Sequence, residues 1–215
     1  MARTTRPLLR LLSGLGLAAL CTLAAGCGGG DDDTPSDTEQ IARAVDGVME
    51  SDSVKDQCET AVSDRFVREV YRTLAFCREA NKPEPDDPAP DTAGISATRI
   101  DGDKATTGVT LMSVKGARAT GRLALVKVGD TWKVDRFGVD FLRSVFAALP
   151  KEASNAEERR VLQCLARAIP ALSNAEVRRL GNLTIGQRPT EGLLPRAAVR
   201  CIQSTTEPPQ DSTIS

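Results

Sequence analysis

Histidine is absent from the 215 residues of the chain. That removes the commonest general base, the side chain that titrates near neutrality and the most versatile metal ligand. No serine–histidine–aspartate arrangement can exist without it, and a cysteine nucleophile would need a thiolate-stabilising neighbourhood in a reducing compartment. The six cysteines include no CxxC pair, the close spacing that a zinc site ordinarily shows. Charge is nearly balanced, 28 Lys and Arg against 29 Asp and Glu, and no basic block interrupts it. Nucleic acid is therefore not an expected partner, because its binding rests on neutralising phosphates. No residue pattern implies a cofactor, and no catalytic constellation stands out.

No apolar run is long enough to span a bilayer as a mature helix. The longest, "LLSGLGLAALCTLAA" from Leu11 to Ala25, follows Arg3, Arg6 and Arg10, the order of a positive n-region and an apolar h-region in an export signal. The residues "LAAGC", Leu23 to Cys27, resemble a bacterial lipobox, with Ala24 where that family usually has Leu and Leu23 one place further out. The resemblance implies that Cys27 is diacylated on sulfur and becomes the new amino terminus; a plain secretory signal cut near Ala25 is the competing reading. Two acyl chains anchor stably where one is marginal. The expected location is the cell membrane, facing outside the cytoplasm, with residues 1–26 removed. Loss of the three arginines takes the formal charge from -1 to -4.

Cys58, Cys77, Cys164 and Cys201 remain in the exported body. An even count in an oxidising compartment favours disulfides, and three pairings are formally possible. Cys58 with Cys77 and Cys164 with Cys201 is preferred, since each pair brackets one helical segment and closes a local loop.

Residues 27–36, "CGGGDDDTPS", bury nothing apolar and read as a flexible tether; Asp31, Asp32 and Asp33 lack the spaced ligands of a calcium loop. Ser36 and Glu39 stand at capping-box spacing before "IARAVDGVM", where Ile41, Ala44, Val45 and Val48 recur at helical spacing. A second helical region passes through Cys58, and Ser63 caps "DRFVREVYRTL", with Phe66, Val67, Val70, Tyr71 and Leu74 as its buried stripe. Cys77 is expected just beyond it. The proline-dense Asn81 to Pro90 is a surface connection.

From Gly94 the period becomes alternating. "GISATRI" runs to a turn at Asp101-Gly102, "KATTGVTLMSV" to a turn at Lys115-Gly116, and "TGRLALVKVGDTWKVDRF", Thr120 to Phe137, reads as a hairpin about Gly129-Asp130. This is an antiparallel meander, with apolar side chains expected on both faces. Helices before a bent sheet that closes with "LVKVGDTWKVDRF" resemble the nuclear transport factor 2-like superfamily, and in particular small exported lipoproteins of bacteria, actinobacteria among them. Residues 37–137 carry the likeness. It implies a conical α+β fold, with N-terminal helices packed on a curved antiparallel sheet and an apolar pocket between them. Tyr71 and Trp132 are the candidate pocket residues, a phenol able to donate into a cavity and an indole able to stack; core packing is the ordinary role of both.

Residues 138–203 turn helical again and read as a disulfide-stapled extension. "VDFLRSVFAAL" runs to Pro150, Ser154–Glu157 and Ser173–Glu176 repeat the capping spacing, Gly181 reads as a helix stop, and a short helix from Arg196 to Ile202 carries Cys201 back to Cys164. Residues 204–215 read as a disordered tail. The expected function is a non-enzymatic, membrane-anchored protein that binds a small apolar ligand or peptide. The alternatives are an envelope-complex module that docks through the extension and a pocket enzyme of isomerase type.

Overall fold

The computed structural model describes residues 35–51, 53–82, 92–113, 115–185, 196 and 199–201. The lipobox, the tether as far as residue 34, most of the proline-dense connection and the residues after 201 lie outside them.

Four strands pair in sequence order as one antiparallel sheet: β1 (Thr92–Asp101), β2 (Lys104–Met112), β3 (Arg118–Val128) and β4 (Thr131–Phe137). The hairpin about Gly129-Asp130 forms as predicted, Val128 pairing with Thr131. Gly129 has a φ of 61°, the left-handed value that a two-residue turn asks of its first position. The first turn falls one residue later than the sequence suggests. Asp101 pairs with Lys104, so Gly102, with a φ of 57°, takes that same first position and Asp103 the second.

Alternation sends Val109, Leu111, Leu123, Leu125, Trp132 and Val134 to one face, where all are buried. The opposite face carries exposed Lys104, Thr106, Arg118, Thr120 and Arg122, and Val128 there is 53% exposed. The expectation of apolar side chains on both faces therefore fails for most of the second face. The later helices return to the same side as the earlier ones, leaving the other face to solvent.

On the covered side, α1 (Asp37–Met49) opens with the predicted capping box: Ser36 Oγ accepts from Glu39 N at 3.3 Å, and Glu39 Oε2 accepts from Ser36 N at 2.8 Å. Ile41, Ala44, Val45 and Val48 are all buried, against β1 and β4. A single π-helical turn, Asp56–Thr60, holds Cys58. α2 (Asp64–Val70) starts where Ser63 accepts from Phe66 N. It ends sooner than predicted, because Arg72 takes a φ of 68° and the Thr73 hydroxyl caps a separate helix, α3 (Leu74–Ala80). Leu74 is consequently 37% exposed, off the core stripe, and Cys77 lies inside α3.

Beyond the sheet come α4 (Val139–Ala148), a 3-10 turn (Leu149–Lys151), α5 (Ala156–Ala168), a second 3-10 turn (Ile169–Ala171) and α6 (Asn174–Ile185). α4 lies directly on β3. Its backbone comes so close that a Cβ added at Gly121 would sit 2.3 Å from Phe141 Cα, a clash with main chain that glycine avoids. Phe137 stacks edge-on to Phe66 at 5.1 Å and lies 5.6 Å from Phe141, so the core runs from α2 through the sheet into α4 without a seam. Val177 and Leu180 of α6 belong to the same cluster.

Two details of this half differ from the sequence reading. The start of α5 is capped by Asn155, whose Oδ1 accepts from Glu158 N at 2.8 Å, while Glu158 reaches back to Ser154 N; the box is offset by one residue. Gly181 is not a stop but lies inside α6, where a Cβ would come within 2.8 Å of Leu142. Both expected disulfides are present: Cys58–Cys77 and Cys164–Cys201, with Cα separations of 5.9 and 5.6 Å.

Candidate ligand cavity

The inner face of β2 and β3, the length of α4 and the end of α6 line a partly open cavity of about 50 Å³. Leu111, Ala119, Phe141, Val145 and Phe146 form its walls, and Gly181 contributes bare backbone. Alanine at 119 leaves room that a larger side chain would fill, and glycine at 181 lets Leu142 pack against α6 beside it. Met49, at the end of α1, closes one side.

One charged side chain lines it, Glu152. Glu152 follows the 3-10 turn that ends α4, and the loop between β2 and β3 holds it from across the fold. Ser113 organises that loop, its hydroxyl accepting from Lys115 N at 3.1 Å and from Ala117 N at 2.9 Å, a serine-centred turn of familiar kind. The same hydroxyl donates to Glu152 Oε1. Lys115 Nζ donates to the Glu152 carbonyl at 2.7 Å, and Glu152 N donates to Leu149 O at 2.9 Å. Every polar atom of the residue is thus spoken for except one: Oε2 is buried without a hydrogen-bond partner among the described residues, and the side chain as a whole is 4% exposed. The only other polar side chain on the wall among the described residues, Thr184, spends its hydroxyl on Leu180 O at 2.8 Å.

The start of α4 is pinned by a second set of polar contacts. Burial pushes the Asp140 carboxyl up, but the Arg122 guanidinium at 2.7 Å and the N–H groups of Phe141 and Arg122 outweigh it and hold the group below the usual carboxylate range. Ser144 Oγ accepts from Thr120 N at 2.9 Å. Further along, Arg143 spans to the next turn and donates to Ile169 O and Leu172 O, both at 2.6 Å. α4 is therefore fixed at its start and middle, with its inner face over the cavity.

The sequence-derived pocket residues sit elsewhere. Tyr71 is 4% exposed at the end of α2, where burial raises its phenol pKa and a hydrogen bond with Asn81 partly offsets that. Asn81 also donates to Cys77 O at 2.9 Å, so this polar pair supports the first disulfide. Trp132 is 1% exposed on β4, with Lys127 Nζ 5.9 Å from its ring centre. Trp132 borders a wide, open groove of about 700 Å³ beside α1, lined by Ala44 and Ala61 as well as by Gln40, Arg43, Asp46 and Asp56. Open to water and walled in part by charged side chains, that groove offers little to an apolar ligand. Neither aromatic residue lines the cavity beneath α4, and Glu152 carries no sequence signal that separates it from other surface-type glutamates. No group of three or more His, Cys, Asp or Glu among the described residues is placed to hold a metal ion. No family model, curated protein or solved structure matches the chain.

Proposed function

We propose that the protein is a lipid-anchored binding protein of nuclear transport factor 2-like type, held outside the cytoplasm by Cys27, that takes a small apolar ligand between its sheet and α4. The observation that carries this reading is the cavity, partly open to the surface and lined almost wholly by apolar side chains. By the measure in which one water needs roughly 10–15 Å³, its 50 Å³ accommodates a few heavy atoms. The fitting occupant is a short aliphatic molecule, the end of a longer chain, or one aliphatic side chain of a peptide.

Binding rather than catalysis is the reading the lining supports. An isomerase-type reaction needs a base together with a donor that stabilises the developing oxyanion. Glu152 supplies a carboxylate, but the hydroxyls of Ser113 and Thr184 are both committed within the protein. The two disulfides support an oxidising compartment, in keeping with export. Among the described residues no helix is long and apolar enough to cross a membrane. The exposed large apolar side chains among those residues, Leu74, Ile100, Met112 and Val128, lie on α3 and the sheet rather than on the later helices, so docking through the later helices has no apolar patch to support it.

Native mass spectrometry of protein extracted from its own membranes, with and without reduction, tests the reading. The expected species begins at a diacylated Cys27, gains four hydrogens on reduction and carries a small apolar adduct. An unlipidated chain would overturn the anchor. A lipidated chain with no adduct, together with no uptake of added short alcohols, would overturn ligand binding.

A further inference from the structure

We infer that the cavity selects an aliphatic amine, its ammonium group bound by Glu152 Oε2 and its hydrocarbon part by the walls of α4 and β3. This rests on the proposed role of the cavity as a ligand site, and adds to it the chemistry of the ligand's head. A buried carboxylate oxygen with no donor is costly, because hydration has been lost and nothing has replaced it. Here the other carboxylate oxygen is paired with Ser113, while Lys115, the nearest cation on the β2–β3 loop, donates to the Glu152 carbonyl and not to its carboxylate. The loop therefore positions Glu152 and leaves Oε2, at the cavity wall, buried without a donor among the described residues. The side chain is 96% withdrawn from solvent and lines a space otherwise apolar.

A ligand that completes this site must bring a donor. A neutral hydroxyl supplies a hydrogen bond; an alkylammonium supplies the hydrogen bond and the opposite charge together, and such charge-assisted bonds are about twice as strong as neutral ones. A carboxylate-headed chain brings only repulsion. The volume limits the hydrocarbon to a few carbons within the cavity, with any longer tail leaving along the path by which it entered.

The test compares n-butylammonium, 1-butanol and butyrate as probes, titrated into the oxidised chain from residue 27 onward with Cys27→Ser to keep lipid off, and followed by amide chemical shifts. Wild type is expected to bind butylammonium at least about tenfold more tightly than butanol, a difference of roughly 1.4 kcal/mol, and butyrate not measurably. In Glu152→Gln, which preserves the shape and the Ser113 contact, the amine preference is expected to vanish while butanol affinity stays within about twofold. Should that variant fail to fold by thermal melting, Glu152→Asp, which withdraws the carboxylate by one methylene, should weaken the amine and spare the alcohol. Equal affinity for amine and alcohol in wild type, or a preference that survives in Glu152→Gln, would overturn the inference and leave the apolar site standing. Absence of binding by all three probes would overturn both.

Discussion

Ser63 joins α2 to β4 through one hydroxyl. It accepts from Phe66 N at 3.1 Å to start α2 and donates to Asp135 Oδ1 on β4 at 2.8 Å, in a position 5% exposed. Its backbone N–H meanwhile donates to Val134 O. Ser63→Ala removes the cap and strands a carboxylate oxygen, and is expected to cost about 1–2 kcal/mol in urea unfolding, with no change in slope. The capping role of Ser63 was legible from the sequence because it depends on neighbours three residues away. The bond to Asp135, 72 positions on, was not. The same distinction separates Tyr71 and Trp132 from Glu152. Aromatic residues announce burial by type, yet which space they border depends on chain crossings far away, and a glutamate after a helix gives no hint that its side chain turns inward.

Helix starts are the most legible elements here, since a cap and its carboxylate partner are local. Glu39, Glu158 and Glu176 each return to a serine, Ser36, Ser154 and Ser173, and those hydrogen bonds hold all three below the ordinary glutamate range. A carboxylate with a lowered folded-state pKa stabilises fully above its unfolded value, near 4.3, and loses that contribution as pH falls through the folded value. The combined variant Ser36→Ala, Ser154→Ala, Ser173→Ala should therefore be less stable than wild type above about pH 5. The gap should narrow as both are acidified towards about pH 3, measured by thermal melts across that range. A gap that stays constant would mean the serines act without their carboxylates. Interior breaks were less legible. Nothing in "REVYRTLAF" shows that Arg72 adopts a φ of 68° and divides one expected helix into α2 and α3. Gly181 reads as a stop from its residue type, but its purpose is to admit Leu142 against α6.

At the scale of the molecule, the strand order and both disulfides followed from turn spacing and cysteine count, whereas the unity of the core did not. Residues 37–137 and the helices after them looked like a domain and an extension because composition and period change at Phe137. The structure instead lays α4 across β3 and carries the aromatic cluster straight through the boundary, from Phe66 by way of Phe137 to Phe141. The cavity is a product of that return, its walls drawn from residues as far apart as Met49 and Ile185. No local pattern encodes a gap lined by alanine and glycine on elements that meet only in the folded chain.

The account turns on whether that gap accepts apolar matter. Crystals of the oxidised chain held under xenon pressure report this directly, since a dry apolar cavity takes up xenon and a wet polar one holds ordered water. The account predicts an anomalous xenon peak between Ala119, Phe141 and Phe146, lost when Ala119→Leu fills the space. Ordered water there in place of xenon, or a xenon site confined to another part of the fold, would contradict it.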